Sequence, residues 1–191
     1  MTQLTVFLRK EVLGGWRNKK IIICGVIFLM VGMLSPFLAK IMPDIFSSIV
    51  TDGIQITVST PTSVDSWMQF YGNIGSLGLL VFVILFADTI CAEIEQGTLI
   101  NLITKGLPRQ TILLAKKLYL YFLWTLFYAA AFLICLLYTR IYFNDSLTHH
   151  FISAGFSYWL FGLLSISLLL LSSAFAKNVY QVLLFLAAFY G

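Results

Sequence analysis

Long runs of apolar residues alternate with short polar segments along the chain. A helix needs roughly 20 apolar residues to cross about 30 Å of hydrocarbon. Four runs reach that length, at residues 21–39, 68–91, 118–138 and 151–176. A fifth run, at residues 179–190, would extend only roughly 18 Å as a helix. The pattern therefore predicts an all-α polytopic membrane protein with four full spans and a truncated fifth, and we expect the natural protein to continue past this run.

The composition excludes a soluble globular domain. Only 10% of the 191 residues are charged and 60% are hydrophobic, with a mean hydropathy of +0.93. Soluble domains carry about 25% charged residues, so this chain has too few charges to cover a soluble surface of that size. The three cysteines lie inside apolar runs, which argues against a disulfide framework.

The basic residues predict the orientation in the membrane. With the N-terminus inside, ten of the twelve basic residues fall on the inner side, and only Lys40 and Arg140 fall outside. This positive-inside bias predicts a cytoplasmic N-terminus and an outer loop at residues 41–66. No basic face of a soluble module occurs, so we expect no nucleic-acid partner. We expect a multi-pass protein in the cell membrane of a bacterium.

The segment before the first span, residues 1–20, has the pattern of an interfacial helix lying on the membrane. Glu11 falls within its apolar arc, so we expect this carboxylate to face another part of the protein. The alternative is a charged flank that only anchors the first span. The apolar side chains that share the arc are Leu4, Phe7, Leu8, Val12 and Trp16.

A second short helix is predicted between the second and third spans, at residues 98–105. Gly97 can end the preceding helix and Thr98 can cap a new one. Gly106 suits the position just after a helix, and Pro108 suits the first turn of the next. A short helix bounded on both sides at the cytoplasmic face can transmit force from a soluble partner.

Three stretches of this region carry a resemblance to a known family. They are residues 93–98 (EIEQGT), 105–109 (KGLPR) and 112–116 (ILLAK). They resemble the signature of ABC-2 type transporter permeases, in which an acidic pair precedes Gly-Thr, a Pro-x-Arg-like turn follows, and an apolar run ends in Lys. The interfacial helix, the inside N-terminus and the order of spans extend the resemblance over the whole chain. It implies a six-span permease half, of which the sixth span and the re-entrant helices before it lie outside this sequence.

The resemblance implies that residues 98–105 form a coupling helix for a cytoplasmic P-loop ATPase. It also implies a second permease copy or a paralogue as partner in the bilayer. The expected function is ATP-driven export of a hydrophobic or amphipathic substrate, such as a peptide, an antibiotic or a lipid-like molecule. The alternative is a non-transporting membrane sensor or assembly subunit. The expected ATPase-coupling residues are Glu93, Glu95, Gly97, Thr98, Lys105, Pro108 and Arg109.

The motifs of catalysis are absent from the sequence. A P-loop needs Gly-Lys followed by Ser or Thr, and no Gly-Lys dipeptide occurs. We therefore expect no enzymatic activity and no cofactor in this chain, with ATP and Mg held by the partner subunit. The two histidines, His149 and His150, are adjacent and lie in an outer turn, so they lack the spacing of a zinc site.

Polar and small residues inside the spans give further predictions. Asp88, one turn from the cytoplasmic end of the second span, either pairs with a basic residue, for example from the N-terminal helix, or lines a polar vestibule. We favour a structural or gating ion pair for Asp88, and consider Glu11 in the same role. The repeat Gly72, Gly75, Gly78 predicts a close helix neighbour on one side. In the fourth span, three serines either pack closely or line a pathway: Ser165, Ser172 and Ser173.

The orientation is testable with a topology reporter. A phosphatase or fluorescent reporter fused after Lys177 should report a cytoplasmic position, because four spans return the chain to the side on which it began. A reporter fused at residue 146 is the matched control and should report the outer side. An external signal after Lys177 would contradict the predicted topology.

Overall fold

The computed structural model describes residues 3–49, 61–89, 108–143, 151–176 and 178–190. Every regular element in these ranges is helical. The elements are α1 (Gln3–Arg17), α2 (Lys20–Ile49), α3 (Ser63–Asn73), a π-helical turn (Ile74–Gly78), α4 (Leu79–Phe86), α5 (Arg109–Tyr142), α6 (Phe151–Phe175) and α7 (Val179–Tyr190). Four stretches are long and apolar enough to cross a membrane: Lys20–Met42, Ser63–Phe86, Gln110–Tyr142 and Phe151–Phe175. The prediction of an all-α polytopic membrane protein is confirmed.

Two helix boundaries differ from the predicted spans. The helix expected at residues 21–39 continues to Ile49, so residues 41–49 are helical rather than part of an outer loop. Helix α2 thus runs past Pro43, although a proline inside a helix removes a backbone donor and its ring crowds the carbonyl four residues earlier. The second span starts at Ser63, earlier than the predicted residue 68. A capping box explains this start, since the Asp65 carboxylate accepts the Thr62 backbone N–H at 2.9 Å.

The core lies where α2, α4, α5 and α6 meet around one indole ring. Trp124 of α5 packs edge-on against Phe28 of α2 and Phe82 of α4, with ring centroids 5.6 and 5.5 Å away. Its indole N–H donates to the backbone carbonyl of Trp159 in α6 at 3.2 Å. Gly162 of α6 leaves the room for this ring, because a Cβ there would lie 2.1 Å from the indole. One buried side chain thus joins four helices.

Aromatic side chains also pack together at the end of the bundle where α3 and α6 begin. The Tyr71 hydroxyl donates to the Phe151 carbonyl at 2.5 Å, and the Tyr128 hydroxyl donates to the Gly155 carbonyl at 2.7 Å. Trp67 stacks on Phe151 with ring centroids 5.0 Å apart. Two tyrosines of α3 and α5 thus hold the first turn of α6 through its carbonyls.

The small residues of the spans have different roles from one another. Ser165, Ser172 and Ser173 are buried, and their hydroxyls donate to the carbonyls of Phe161, Leu169 and Ala87. They pack between helices, which is one of the two roles that the sequence left open.

The prediction that the three glycines of the second span share one close neighbour is wrong. Gly75 approaches Tyr158 and Gly78 approaches Phe28, whereas Gly72 faces open space. The π-helical turn Ile74–Gly78 adds residues to the turn, so positions three apart no longer share a side.

Gly32 and Gly72 offer a matched test of the packing. A Cβ at Gly32 would lie 2.7 Å from the backbone oxygen of Ala131 in α5, where neither backbone can move easily. We expect Gly32→Ala to destabilise the protein by about 1–3 kcal/mol. A Cβ at Gly72 would meet no other atom within 4 Å. Gly72→Ala should therefore be neutral, or stabilise the protein by up to about 1 kcal/mol through helix propensity. Thermal unfolding in detergent micelles measures both, and equal midpoints would contradict the packing of α2 on α5.

Candidate functional site at the charged end

Four charged side chains from different parts of the chain meet at one end of the bundle. Glu11 of α1, Lys20 of α2, Asp88 just after α4, and Lys116 of α5 form two ion pairs. We call these four residues the charge cluster. It contains two acidic and two basic side chains, and the more exposed Lys10 of α1 lies 3.9 Å from Glu11 at its edge. In a chain with so few charges, this gathering is the candidate functional site.

The first pair joins the start of α2 to the end of the second span. Lys20 Nζ lies 2.6 and 2.5 Å from the two carboxylate oxygens of Asp88. The side chains are 25% and 38% exposed, so this pair remains accessible from the end of the bundle. The structure thus places Asp88 against a lysine 68 residues earlier in the sequence.

A tight turn places Lys20 in this position. Helix α1 ends at Arg17, and the Asn18 N–H donates to the Gly14 carbonyl at 3.0 Å. Lys19 has a φ of 57°, the left-handed conformation that commonly ends a helix. The left-handed residue thus separates the two helices, and α2 begins at the next residue. The ion-pairing lysine is therefore the first residue after the turn.

The second pair is buried. The Lys116 side chain is 2% exposed, and its Nζ lies 3.5 Å from Oε1 of Glu11, which is 13% exposed. The same ammonium donates to the Thr89 backbone carbonyl at 2.5 Å. The Thr89 carbonyl thus gains a donor from another helix, and the buried ammonium gains a hydrogen bond in addition to the ion pair. Removing one partner of a buried ion pair costs about 3–5 kcal/mol, and the side chain is correspondingly fixed.

A polar cavity of about 170 Å³ lies beside the charge cluster. It has room for roughly five water molecules. Asp88 contributes to its wall as well as pairing with Lys20, so this carboxylate combines both roles that the sequence left open. The side chains of all four cluster residues line the cavity, together with Lys10, Gly14, Gly15, Asn18, Phe86, Thr89 and Tyr119.

Tyr119 lies one turn after Lys116 and faces α1. Its hydroxyl is buried and has no hydrogen-bond partner among the described residues. A Cβ at Gly15 would lie 2.2 Å from this oxygen, so α1 can approach α5 this closely only because residue 15 is glycine. The close approach in turn brings Glu11, one turn earlier in α1, within reach of Lys116.

The structure describes only part of the predicted coupling segment. Pro108 is exposed, has an extended ψ of 140°, and immediately precedes α5, of which Arg109 is the first residue. Both therefore lie at the start of the helix that carries Lys116. The remaining predicted coupling residues lie outside the described residues: Glu93, Glu95, Gly97, Thr98 and Lys105.

The sequence prediction of the site missed Lys20, Lys116, Tyr119 and Gly15. Lys116 had a recognisable signal. It shares a helix face with Ile112, Ala115 and Tyr119, which follow the spacing i, i+3, i+4 and i+7. All four are buried, whereas the adjacent Lys117 is exposed. A lysine on an apolar helix face indicates a buried ammonium that needs partners.

The helices and the charge cluster define a polytopic membrane protein whose ionisable groups meet at one end, and comparison with known proteins gives its family. The chain belongs to the ABC-2 family transporter proteins, whose sequence profile matches residues 5–190. The resemblance predicted from the motifs is confirmed. Membership thus associates the chain with the membrane components of ABC transporters.

One curated relative is an uncharacterized transmembrane protein, YxlG of Bacillus subtilis (strain 168). It is 22% identical over 148 residues, which are 76% of this chain and 57% of the relative. The chain thus spans little more than half the length of this relative. No solved structure gives a significant match.

Gly14 and Gly15 test how closely α1 must approach α5. Gly15→Ala should displace α1, because its Cβ would collide with the Tyr119 hydroxyl, and overpacking of this kind costs about 1–3 kcal/mol. Gly14→Ala is the control, since nothing lies within 4 Å of a Cβ there. The thermal unfolding midpoint and the rate of proteolysis within α1 measure the effect.

Tyr119→Phe supplies the complementary test. It removes the colliding oxygen and a buried hydroxyl without a described partner, so the single change should be neutral or slightly stabilising. In combination with Gly15→Ala it should restore most of the lost stability. Gly15→Ala defects that persist unchanged in the double variant would show that another contact sets the distance.

Proposed function

We propose that this chain is the permease subunit of an ATP-driven exporter in a cell membrane. ATP is hydrolysed in a separate cytoplasmic P-loop ATPase, which also holds the Mg ion, and a second permease copy or a paralogue completes the transmembrane part. The observation that carries the proposal is the family match over residues 5–190. The substrate is a hydrophobic or amphipathic molecule, such as a peptide, an antibiotic or a lipid-like compound.

The distribution of charge supports a cytoplasmic position for the charged end. Ten of the twelve basic residues of the sequence fall on that side in the predicted topology. At the other end, aromatic rings and hydroxyl groups make many of the described contacts between helices, such as the Ser66–Thr139 pair at 2.8 Å, and Lys40 lies over the Tyr142 ring. An ATPase docking from the cytoplasm would therefore meet the side of the permease that carries the charge cluster.

The connectivity supports force transfer from residues 98–105 to the charge cluster. The segment that contains them leaves the second span after Asp88 and Thr89 and returns at Pro108. Thr89 is bonded to Lys116, and Lys116 lies two turns into the helix that begins at Arg109. A displacement of residues 98–105 would thus reach the second span at Thr89 and α5 at Arg109. Both points lead to the Lys116 ammonium.

Two open apolar grooves support the proposed substrate class. One of about 510 Å³ lies between the second span and helices α6 and α7, and one of about 490 Å³ lies between α5 and α6. Their walls are almost entirely apolar, as binding sites for hydrophobic compounds usually are. In the transport cycle, ATP-driven closure of the ATPases would push on residues 98–105, and the spans would switch from inward-open to outward-open or occluded.

Co-purification and transport test the proposal together. The full-length permease would be expressed with a P-loop ATPase encoded by a neighbouring gene, and captured through a tag on the permease. Substitution of Glu95, Gly97 or Arg109 by alanine should reduce ATPase binding and ATP-dependent transport, roughly ten-fold if each removes a coupling of about 1.4 kcal/mol. Arg140→Ala, an exposed arginine near the opposite end, is the matched control and should have no effect.

Two outcomes would count against the proposal. Unchanged binding and transport in all three variants would mean that the coupling residues are wrongly assigned. ATPase binding without ATP-dependent transport of any hydrophobic peptide, antibiotic or lipid would favour the alternative, a non-transporting membrane sensor or assembly subunit.

A further inference from the structure

We propose that Lys116 is a positioning residue that makes α1 and the end of the second span move as one unit. The proposal rests on the proposed function for the source of the force, but its geometry is independent of that function. It assigns to the buried ammonium a role in conformational change rather than in substrate or nucleotide binding.

Three elements of the chain meet at the ammonium nitrogen of Lys116. Lys116 Nζ contacts Glu11 of α1 and the carbonyl of Thr89 from its own position on α5. An ammonium has three hydrogens and accepts no bond, so both contacts are donated by the same buried group. We call the arrangement of Lys116, Glu11 and Thr89 the three-way contact.

Moving one of these elements alone would carry a cost. If α1 moved away, the ammonium would stay buried without its counterion, which is an unfavourable state in a medium of low dielectric. If residue 89 moved away, its carbonyl and the buried ammonium would lose their hydrogen bond. Motions that keep Lys116, Glu11 and Thr89 together avoid both penalties. Displacement of the end of the second span should therefore carry α1 with it.

A second connection lies at the same place. Asp88, the neighbour of Thr89, holds Lys20 at the start of α2. Glu11 and Lys20 lie on either side of the turn at Asn18 and Lys19. Lys20 contacts Asp88 directly, and Glu11 is joined to Thr89 through Lys116. The outer face of α1 is exposed at Val12, Leu13 and Trp16. Because the described helices do not cover this face, α1 can follow a motion of the second span.

Spin labels measure the proposed unit directly in the purified full chain. Cysteines would replace Arg9 of α1 and Ile84 of α4, both exposed, after the three native cysteines are changed to alanine. In nanodiscs, we expect one narrow distance distribution for the parent protein. Lys116→Met should broaden or shift it, while Lys117→Met, which removes the adjacent exposed lysine, should leave it unchanged. Identical distributions for the two lysine variants would overturn the proposal.

A charge exchange separates the three-way contact from a simple ion pair. The double variant Glu11→Lys with Lys116→Glu restores opposite charges on α1 and α5, but a carboxylate cannot donate to the Thr89 carbonyl. We expect this variant to keep the broad distribution between α1 and α4. A return to the narrow distribution would show that the ion pair alone positions α1, and would overturn the three-way contact. If Lys116→Met does not fold, Glu11→Leu with Lys116→Met replaces the pair by apolar side chains and serves in its place, with the same broad distribution expected.

Transport with the ATPase gives the functional arm of the test. In Lys116→Met, ATP hydrolysed per molecule transported should rise about ten-fold, within the roughly 5–150-fold range of conformational coupling, while ATPase binding stays as in Lys117→Met. An unchanged ratio would overturn the coupling role. If the parent protein shows no ATP-dependent transport, the proposed function fails, and the spin-label distances still decide the three-way contact.

Discussion

A polar group within a membrane must find its partner inside the protein, because hydrocarbon offers none. Polar groups of the described helices meet this constraint in two ways, with the buried Tyr119 hydroxyl and Trp67 indole N–H as exceptions that have no described partner. In the spans, hydroxyl groups donate to carbonyls one turn earlier, as Ser35 does to Val31 at 2.7 Å and Ser165 to Phe161 at 2.8 Å. At the charged end, where the groups carry full charge, they form the charge cluster. The side chains that cannot be satisfied locally thus determine which helices meet.

The same constraint leaves the middle of the bundle to close packing. With lipid as apolar as the side chains, helices associate through van der Waals contact and shape. Trp124 fits because Gly162 lacks a side chain, and α2 lies against α5 because Gly32 meets the Ala131 backbone. These contacts fix the distance between helices in the core. The ionic contacts fix which elements lie together at the end, so the two kinds of interaction determine different parts of the geometry.

The sequence predicts the class of protein and the family well, because both depend on local patterns: the apolar runs, the distribution of basic residues and the motif between residues 93 and 116. It predicts Asp88 and Glu11 as unusual because charge inside an apolar pattern is visible locally. The sequence does not predict which basic residues pair with these two carboxylates. Lys20 and Asp88 are 68 residues apart, and only the packing of α2 beside the second span brings them together. The extension of α2 to Ile49 was missed because a proline such as Pro43 usually ends or kinks a helix, which agreed with an outer loop at residues 41–66.

The pairing of opposite charges in the charge cluster has a mechanical consequence. An unpaired charge would resist any motion that changed its depth, because the cost of transferring charge rises steeply towards the hydrocarbon. Each of the two ion pairs carries no net charge across that gradient when its partners move together. The cluster can therefore be stiff inside, where separating its partners is costly, and free to move as a whole. Under the proposed function, a push transmitted to the end of the second span would need both properties there. The residues at that point, Asp88 and Thr89, are the two that the lysines hold.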